Sequence, residues 1–212
     1  MNIATTTLSI MQDWDKLIAE APDEPQAVPF AQPAGRDIEF TTGIPKRYRE
    51  SWERPTDAEW IGHFRKVMDK VEIGGIIALI GNRGTGKTRI AAEAVRNFSP
   101  DKATYTTAMG LFLRIRASFG KKGGETEEQI VKEMSQCALL VIDEVQERGN
   151  TAWEDRLLTH ILDKRYGAMT PTIIIANLDA NGLTECLGAS IVSRINETGG
   201  IVTITGKSHR DA

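Results

Sequence analysis

The octapeptide Gly81-Asn82-Arg83-Gly84-Thr85-Gly86-Lys87-Thr88 decides how this chain is read. It fits G-x-x-x-x-G-K-[ST], a loop that wraps phosphate groups. Its flanks supply the context that the motif requires. Gly75-Ile76-Ile77-Ala78-Leu79-Ile80 is short and wholly apolar, as a buried parallel strand must be. Downstream, Ile90, Ala91, Ala94, Val95 and Phe98 recur at helical spacing. The loop therefore joins a strand to a helix, where turned-in backbone N–H groups and the positive helix end attract an anion. The expected nucleotide-binding residues are Gly81, Asn82, Arg83, Gly84, Thr85, Gly86, Lys87, Thr88 and Arg89. Lys87 is expected to reach the β- and γ-phosphates of ATP, and the Thr88 hydroxyl to ligate Mg²⁺.

A second apolar run, Ala138-Leu139-Leu140-Val141-Ile142, ends in Asp143-Glu144. Parallel strands carry functional residues at their carboxyl ends, beside the phosphate loop. Asp143 is expected in the Mg²⁺ shell, directly or through water, and Glu144 is expected to polarise an attacking water. Taken alone, the run also fits an ordinary strand that ends in a solvated acidic turn.

Further strands read as Ala103–Thr107, Pro171–Asn177 and Ile201–Thr205. Helical patterns lie between them. Trp60, Ile61, Phe64, Val67, Met68 and Val71 mark one helix, with Thr56 or Asp57 as its cap. Leu111, Phe112, Ile115 and Phe119 mark another, which also carries Arg114 and Arg116 and stops at the basic loop Gly120-Lys121-Lys122-Gly123-Gly124. A third covers Thr126–Gln136. The helix Trp153–Gly167 is expected to turn Trp153, Leu157, Leu158, Ile161 and Leu162 inward and Arg156, Lys164 and Arg165 outward. Asn181–Asn196 holds one or two helices. The alternation predicts an α/β fold, a five-stranded parallel sheet flanked by helices with no C-terminal lid domain.

Residues 1–40 are different in kind. Leu8, Met11, Trp14, Leu17 and Ile18 form a short amphipathic stripe, followed by Pro22, Pro25, Pro29 and Pro33. This reads as a helix on a proline-rich tether, with 41–212 as the folded domain. The stripe fits docking either on its own domain or on a partner protein.

A net charge of −3 argues against an overall basic nucleic-acid binder, though not against a local basic patch. Cys137 and Cys186 form neither a zinc site nor a disulfide framework, and His63, His160 and His209 lack metal-ligand spacing. No apolar run approaches the roughly 18 residues of a membrane span. A cytoplasmic protein is expected.

The order of these pieces resembles the AAA+ ATPases, and more narrowly the bacterial and phage replicative helicase loaders of the DnaC/DnaI type, relatives of IstB. The likeness runs from about Gly43 onward. It rests on Gly43-Ile44-Pro45-Lys46-Arg47-Tyr48, the phosphate loop, Leu139–Glu144, Asp163-Lys164-Arg165-Tyr166, Asn177-Leu178, Leu187-Gly188 and Ser193-Arg194-Ile195. It implies that Asn177 is a sensor orienting water against the γ-phosphate, and that Arg194 is an arginine finger acting on a neighbouring subunit. A finger in trans implies a ring or spiral of subunits. The resemblance further implies that the helix Ala108–Phe119 lines that spiral and holds single-stranded DNA. Arg114, Arg116, Lys121 and Lys122 would offer charge, and Phe119 and Trp153 stacking faces. Phe119 and Trp153 fit a core role equally well. The N-terminus departs from the cellular loaders, which often carry a larger helicase-gripping domain; a compact loader of phage or prophage type would fit. The partner implied is a ring-shaped replicative helicase, gripped by the N-terminal helix. Rival readings are an IstB-type transposition helper that binds duplex DNA, a small-molecule kinase and a nucleotide-gated adaptor with little turnover. Asp143-Glu144 together with Asn177 suits water activation better than a kinase.

Overall fold

A computed structural model describes residues 43–48, 58–98, 102–120 and 123–205. The amphipathic stripe, the proline-rich tether, the Thr56/Asp57 cap and the Lys121-Lys122 pair lie outside the described residues. In chain order the elements are α1 (Ala58–Glu72), β1 (Ile76–Ile80), α2 (Lys87–Phe98), β2 (Ala103–Thr107), α3 (Ala108–Ser118) and α4 (Glu127–Gln136). There follow β3 (Leu139–Asp143), α5 (Ala152–Gly167), β4 (Thr172–Ile175), α6 (Ala180–Leu187), α7 (Ala189–Thr198) and β5 (Gly200–Thr203). Single 3₁₀ turns cover Lys46–Tyr48 and Val145–Glu147.

The five strands form one parallel sheet in the order β2-β3-β4-β1-β5. Strand side chains alternate between faces. Ile77 and Leu79, Leu139 and Val141, and Ile173 and Ile175 pack against α1 and α2 through Phe64, Val67, Ile90 and Val95. Ile76, Ala78 and Ile80, Leu140 and Ile142, and Ile174 pack on the opposite side against α3 to α7. Both faces are covered, which is why the central strands β1, β3 and β4 read as apolar runs rather than alternating ones.

The segment Asn181–Asn196 resolves into two helices. Gly188 separates α6 from α7 at φ 81°, ψ 152°, a conformation that a side chain resists. Phe119 lies just beyond α3 and is exposed, not in the core. Arg165 overturns the expected orientation of α5, because it is fully buried. Its guanidinium donates from Nε to Thr172 Oγ1 at 2.7 Å, and its other nitrogens to the carbonyls of Met134, Cys137 and Pro171 at 2.9, 2.9 and 2.6 Å. Met134 and Cys137 belong to the C-terminal end of α4, whose exposed carbonyls and dipole suit a cation. Periodicity alone could not anticipate an arginine that ties a helix end to the start of β4.

Candidate nucleotide-binding site

β1 sits between β4 and β5, so its carboxyl end opens where three strands converge. Gly81 leaves the strand at φ 126°. A Cβ there would lie 2.4 Å from the Ile204 carbonyl oxygen, so no larger residue fits. Its N–H donates to the Leu178 carbonyl at 3.0 Å, fixing the loop beside the end of β4. The chain then re-enters helix at Lys87, and α2 has no acidic residue in its first turn. A helix start left without a carboxylate suits an external anion.

Lys87 is 4% exposed, and its ammonium donates to the carbonyls of Gly81 at 2.8 Å and Asn82 at 2.6 Å. Thr85 steadies the turn by donating to Asn82 O at 3.0 Å. Arg83 is exposed and pairs with Glu147 at 2.9 Å, joining the loop tip to the turn after β3. Arg89 is half-buried on the first turn of α2.

The Thr88 hydroxyl donates to Asp143 Oδ2 at 2.8 Å. A hydroxyl and a carboxylate so close form a hard-oxygen pair of the kind Mg²⁺ accepts, with substrate phosphates completing its shell. Lys87, the loop N–H groups and this pair therefore fit ATP with Mg²⁺. Asp143 Oδ1 accepts from the Glu144 N–H at 2.7 Å. Glu144 has left the strand and sits at φ 53°, ψ 45°, in the left-handed region that a non-glycine residue occupies at a cost of about 1–2 kcal/mol. Its carboxylate is exposed.

Asn177 follows β4 directly. Its backbone N–H donates to Gln146 Oε1 at 3.2 Å, and Gln146 Nε2 reaches Glu147 at 3.3 Å. The end of β4, the turn after β3 and the phosphate-loop tip are thus linked through Gln146 and Glu147. Neither residue stands out in the sequence, because a glutamine and a glutamate in a polar turn carry no pattern.

A further residue enters the site from β2. Tyr105, on β2, is 5% exposed and donates its hydroxyl to Asp143 Oδ2, the oxygen that Thr88 also uses. Burial above all, then the Asp143 charge, pushes the phenol well above its ordinary range, so it stays a proton donor. The only signal was a tyrosine on an inward position of an otherwise small-residue strand.

The remaining expected site residues lie elsewhere. Arg194, on α7, donates to Ser190 Oγ at 2.6 Å, pairs with Asp163 at 3.1 Å and lies 5.7 Å from the Tyr166 ring centre. Arg114 forks onto Glu125 and Glu133, and Arg116 pairs with the buried Glu154 at 3.2 Å. Trp153 is half-buried against the core. Its ring meets Phe112 and Phe119 edge-on at 5.8 and 5.9 Å, with Arg116 5.6 Å from its centre.

Residues 52–212 match the family described as IstB-like ATP binding protein. The chain belongs to that family. It is 29% identical over 118 residues to a protein named replicative helicase loader DnaC from Buchnera aphidicola subsp. Baizongia pistaciae, covering 54% of this chain and 48% of the relative. The chain thus spans about half the length of the curated relatives it matches. A crystal structure of the DnaC helicase loader superposes with a TM-score of 0.62 at 21% identity, covering 76% of this chain and 100% of that one. The replication initiator DnaA bound to AMPPCP and single-stranded DNA gives 0.62 at 17% identity, covering 78% and 52%. These likenesses establish the fold as the AAA+ P-loop fold, as the sequence implied.

Proposed function

We propose that this IstB-like protein is an ATPase that loads a ring-shaped replicative helicase onto single-stranded DNA. The observation that carries the ATPase reading is the convergence of Lys87, Thr88, Asp143 and the Asn177 segment on one sheet edge. Lys87 and the loop N–H groups bind the phosphates of ATP. Bound Mg²⁺ would neutralise phosphate charge beside Thr88 and Asp143. Glu144 accepts the proton of the attacking water, and Asn177 orients that water. Arg194 completes the neighbouring subunit's site, so hydrolysis depends on assembly into a ring or spiral. The helix α3 faces the DNA. The DnaC names among its relatives support the loader role, and residues 1–40 would supply the helicase grip.

The family match itself favours a second reading, a transposition helper that binds duplex DNA. One experiment separates the two: co-elution with the host's replicative helicase in ATP, using the full chain and a form lacking residues 1–35. A complex lost on deletion supports the loader. No complex with either form, together with binding to duplex DNA, supports the helper.

A further inference from the structure

Asp143 is held from three directions. Its Oδ2 accepts from Thr88 Oγ1 at 2.8 Å and from the Tyr105 hydroxyl, and its Oδ1 accepts from the Glu144 N–H at 2.7 Å. Thr88 and Glu144 belong to the motifs that define the site. Tyr105 belongs to neither, and it arrives from β2, the outermost strand on that side.

The parallel register explains how it reaches. Thr107 pairs with Asp143 and Tyr105 with Val141, so Tyr105 and Asp143 share one face, that of α1 and α2. The long phenol spans the two-residue step along the strands to the carboxylate. Phenylalanine would fill the apolar surroundings formed by Ala103, Val141 and their neighbours equally well. A hydroxyl buried there is costly unless it finds an acceptor, and Asp143 supplies it.

The consequence falls on the carboxylate. The χ2 torsion of an aspartate is broad and has little preference of its own, so its donors decide where the oxygens point. We infer that Tyr105 is a positioning residue for divalent-cation binding: its hydroxyl locks the Asp143 carboxylate so that Oδ2 stays beside the Thr88 hydroxyl. This rests on the reading of Thr88 and Asp143 as the Mg²⁺-binding pair. Tyr105 need not touch the ion. It keeps the two ligand oxygens preorganised, as outer-shell partners of metal ligands do.

The test is a Mg²⁺ titration of the full-length protein carrying an ATP analogue with a fluorescent ribose label, read by fluorescence and repeated for Tyr105→Phe and Asp143→Asn. Analogue binding in EDTA and the melting temperature are measured alongside. Tyr105→Phe is expected to raise the Mg²⁺ midpoint about tenfold, in the range for loss of an outer-shell partner, and to bind the analogue in EDTA as wild type does. A purely structural tyrosine would leave that midpoint unchanged. An unchanged midpoint in Tyr105→Phe, with a shifted one in Asp143→Asn, overturns the positioning role alone. Unchanged midpoints in both overturn the metal reading and the inference with it. If Tyr105→Phe does not fold, 4-methylphenylalanine at position 105 fills the hydroxyl's volume without a donor and should shift the midpoint likewise. With 4-aminophenylalanine, which keeps an N–H donor, the midpoint should stay near wild type.

Discussion

Arg194 and Asp163 lie 3.1 Å apart, on α7 and α5, on the sheet face opposite the phosphate-loop helix α2. One turn beyond Arg194, Thr198 Oγ1 accepts from the Ile76 N–H, at the amino end of β1. The guanidinium folds back onto Ser190 on that face, across the sheet from its own phosphate-loop helix, and the proposed finger would act on the nucleotide of another subunit. Arg194→Ala is expected to lower ATPase activity about 10³-fold, the lower end of what such fingers contribute, while leaving nucleotide affinity intact. Mixing it with Lys87→Ala subunits should restore turnover. Each intact Arg194 can then serve a neighbour with an intact loop. Absence of rescue at every mixing ratio would sink the trans geometry.

Lys87 and Glu144 separate binding from turnover. Lys87→Ala removes the ammonium that reaches the Gly81 and Asn82 carbonyls of the loop, and ATP affinity should be lost. Glu144 is strained and exposed, and its backbone N–H is held by the Asp143 carboxylate. Glu144→Gln relieves none of that strain and keeps the shape. It should bind ATP as wild type does and hydrolyse it about 10²–10⁴-fold more slowly. Equilibrium binding and single-turnover hydrolysis report the two effects apart, and unchanged hydrolysis would place the base elsewhere.

The fold and the centre of the site were legible because both rest on local chemistry. Ile76–Ile80 and Leu139–Ile142 are apolar on both faces, as strands of a parallel sheet covered on both sides are. The glycine spacing of the loop encodes its own shape. What stayed hidden is what depends on tertiary neighbours. Nothing near Tyr105 in sequence says that β2 pairs with β3 in a register that aims it at Asp143. Arg165 looks like its exposed neighbour Lys164, and only the approach of the α4 carbonyls gives it a buried place. The arginines of α3 read as free charge, because Glu125, Glu133 and Glu154 are distant in sequence.

Arg165 yields a stability prediction. Burial pushes its pKa down, but an arginine stays protonated, so a full charge is held by carbonyls and one hydroxyl. Arg165→Ala leaves those acceptors unpaired around a cavity and should cost about 3–5 kcal/mol. Arg165→Lys cannot reproduce the fork and should fall between alanine and wild type. Urea denaturation measures both, and a near-neutral alanine variant would show that the network contributes nothing net.

The arginines of α3 set the terms for the proposed DNA contact. Arg114 is shared by two carboxylates, Glu125 and Glu133, so the local charge of that trio is negative. Hydrogen bonding from Arg114 holds the Glu125 carboxyl below its usual range, which keeps it ionised and repulsive to phosphate. The pairs are partly exposed, and such pairs add little to stability. Glu125→Gln combined with Glu133→Gln should therefore leave the fold intact while freeing one arginine for the backbone. Affinity for a labelled oligothymidine should rise roughly tenfold at low salt, and the slope of log affinity against log salt should steepen by about one phosphate contact. Phe119→Ala should act differently. Its exposed ring offers a stacking face, so its loss should cost about 1–3 kcal/mol of binding with no change in slope. Fluorescence anisotropy at two salt concentrations distinguishes the effects. If the double glutamine variant binds as wild type does at both salts, the DNA path does not cross α3.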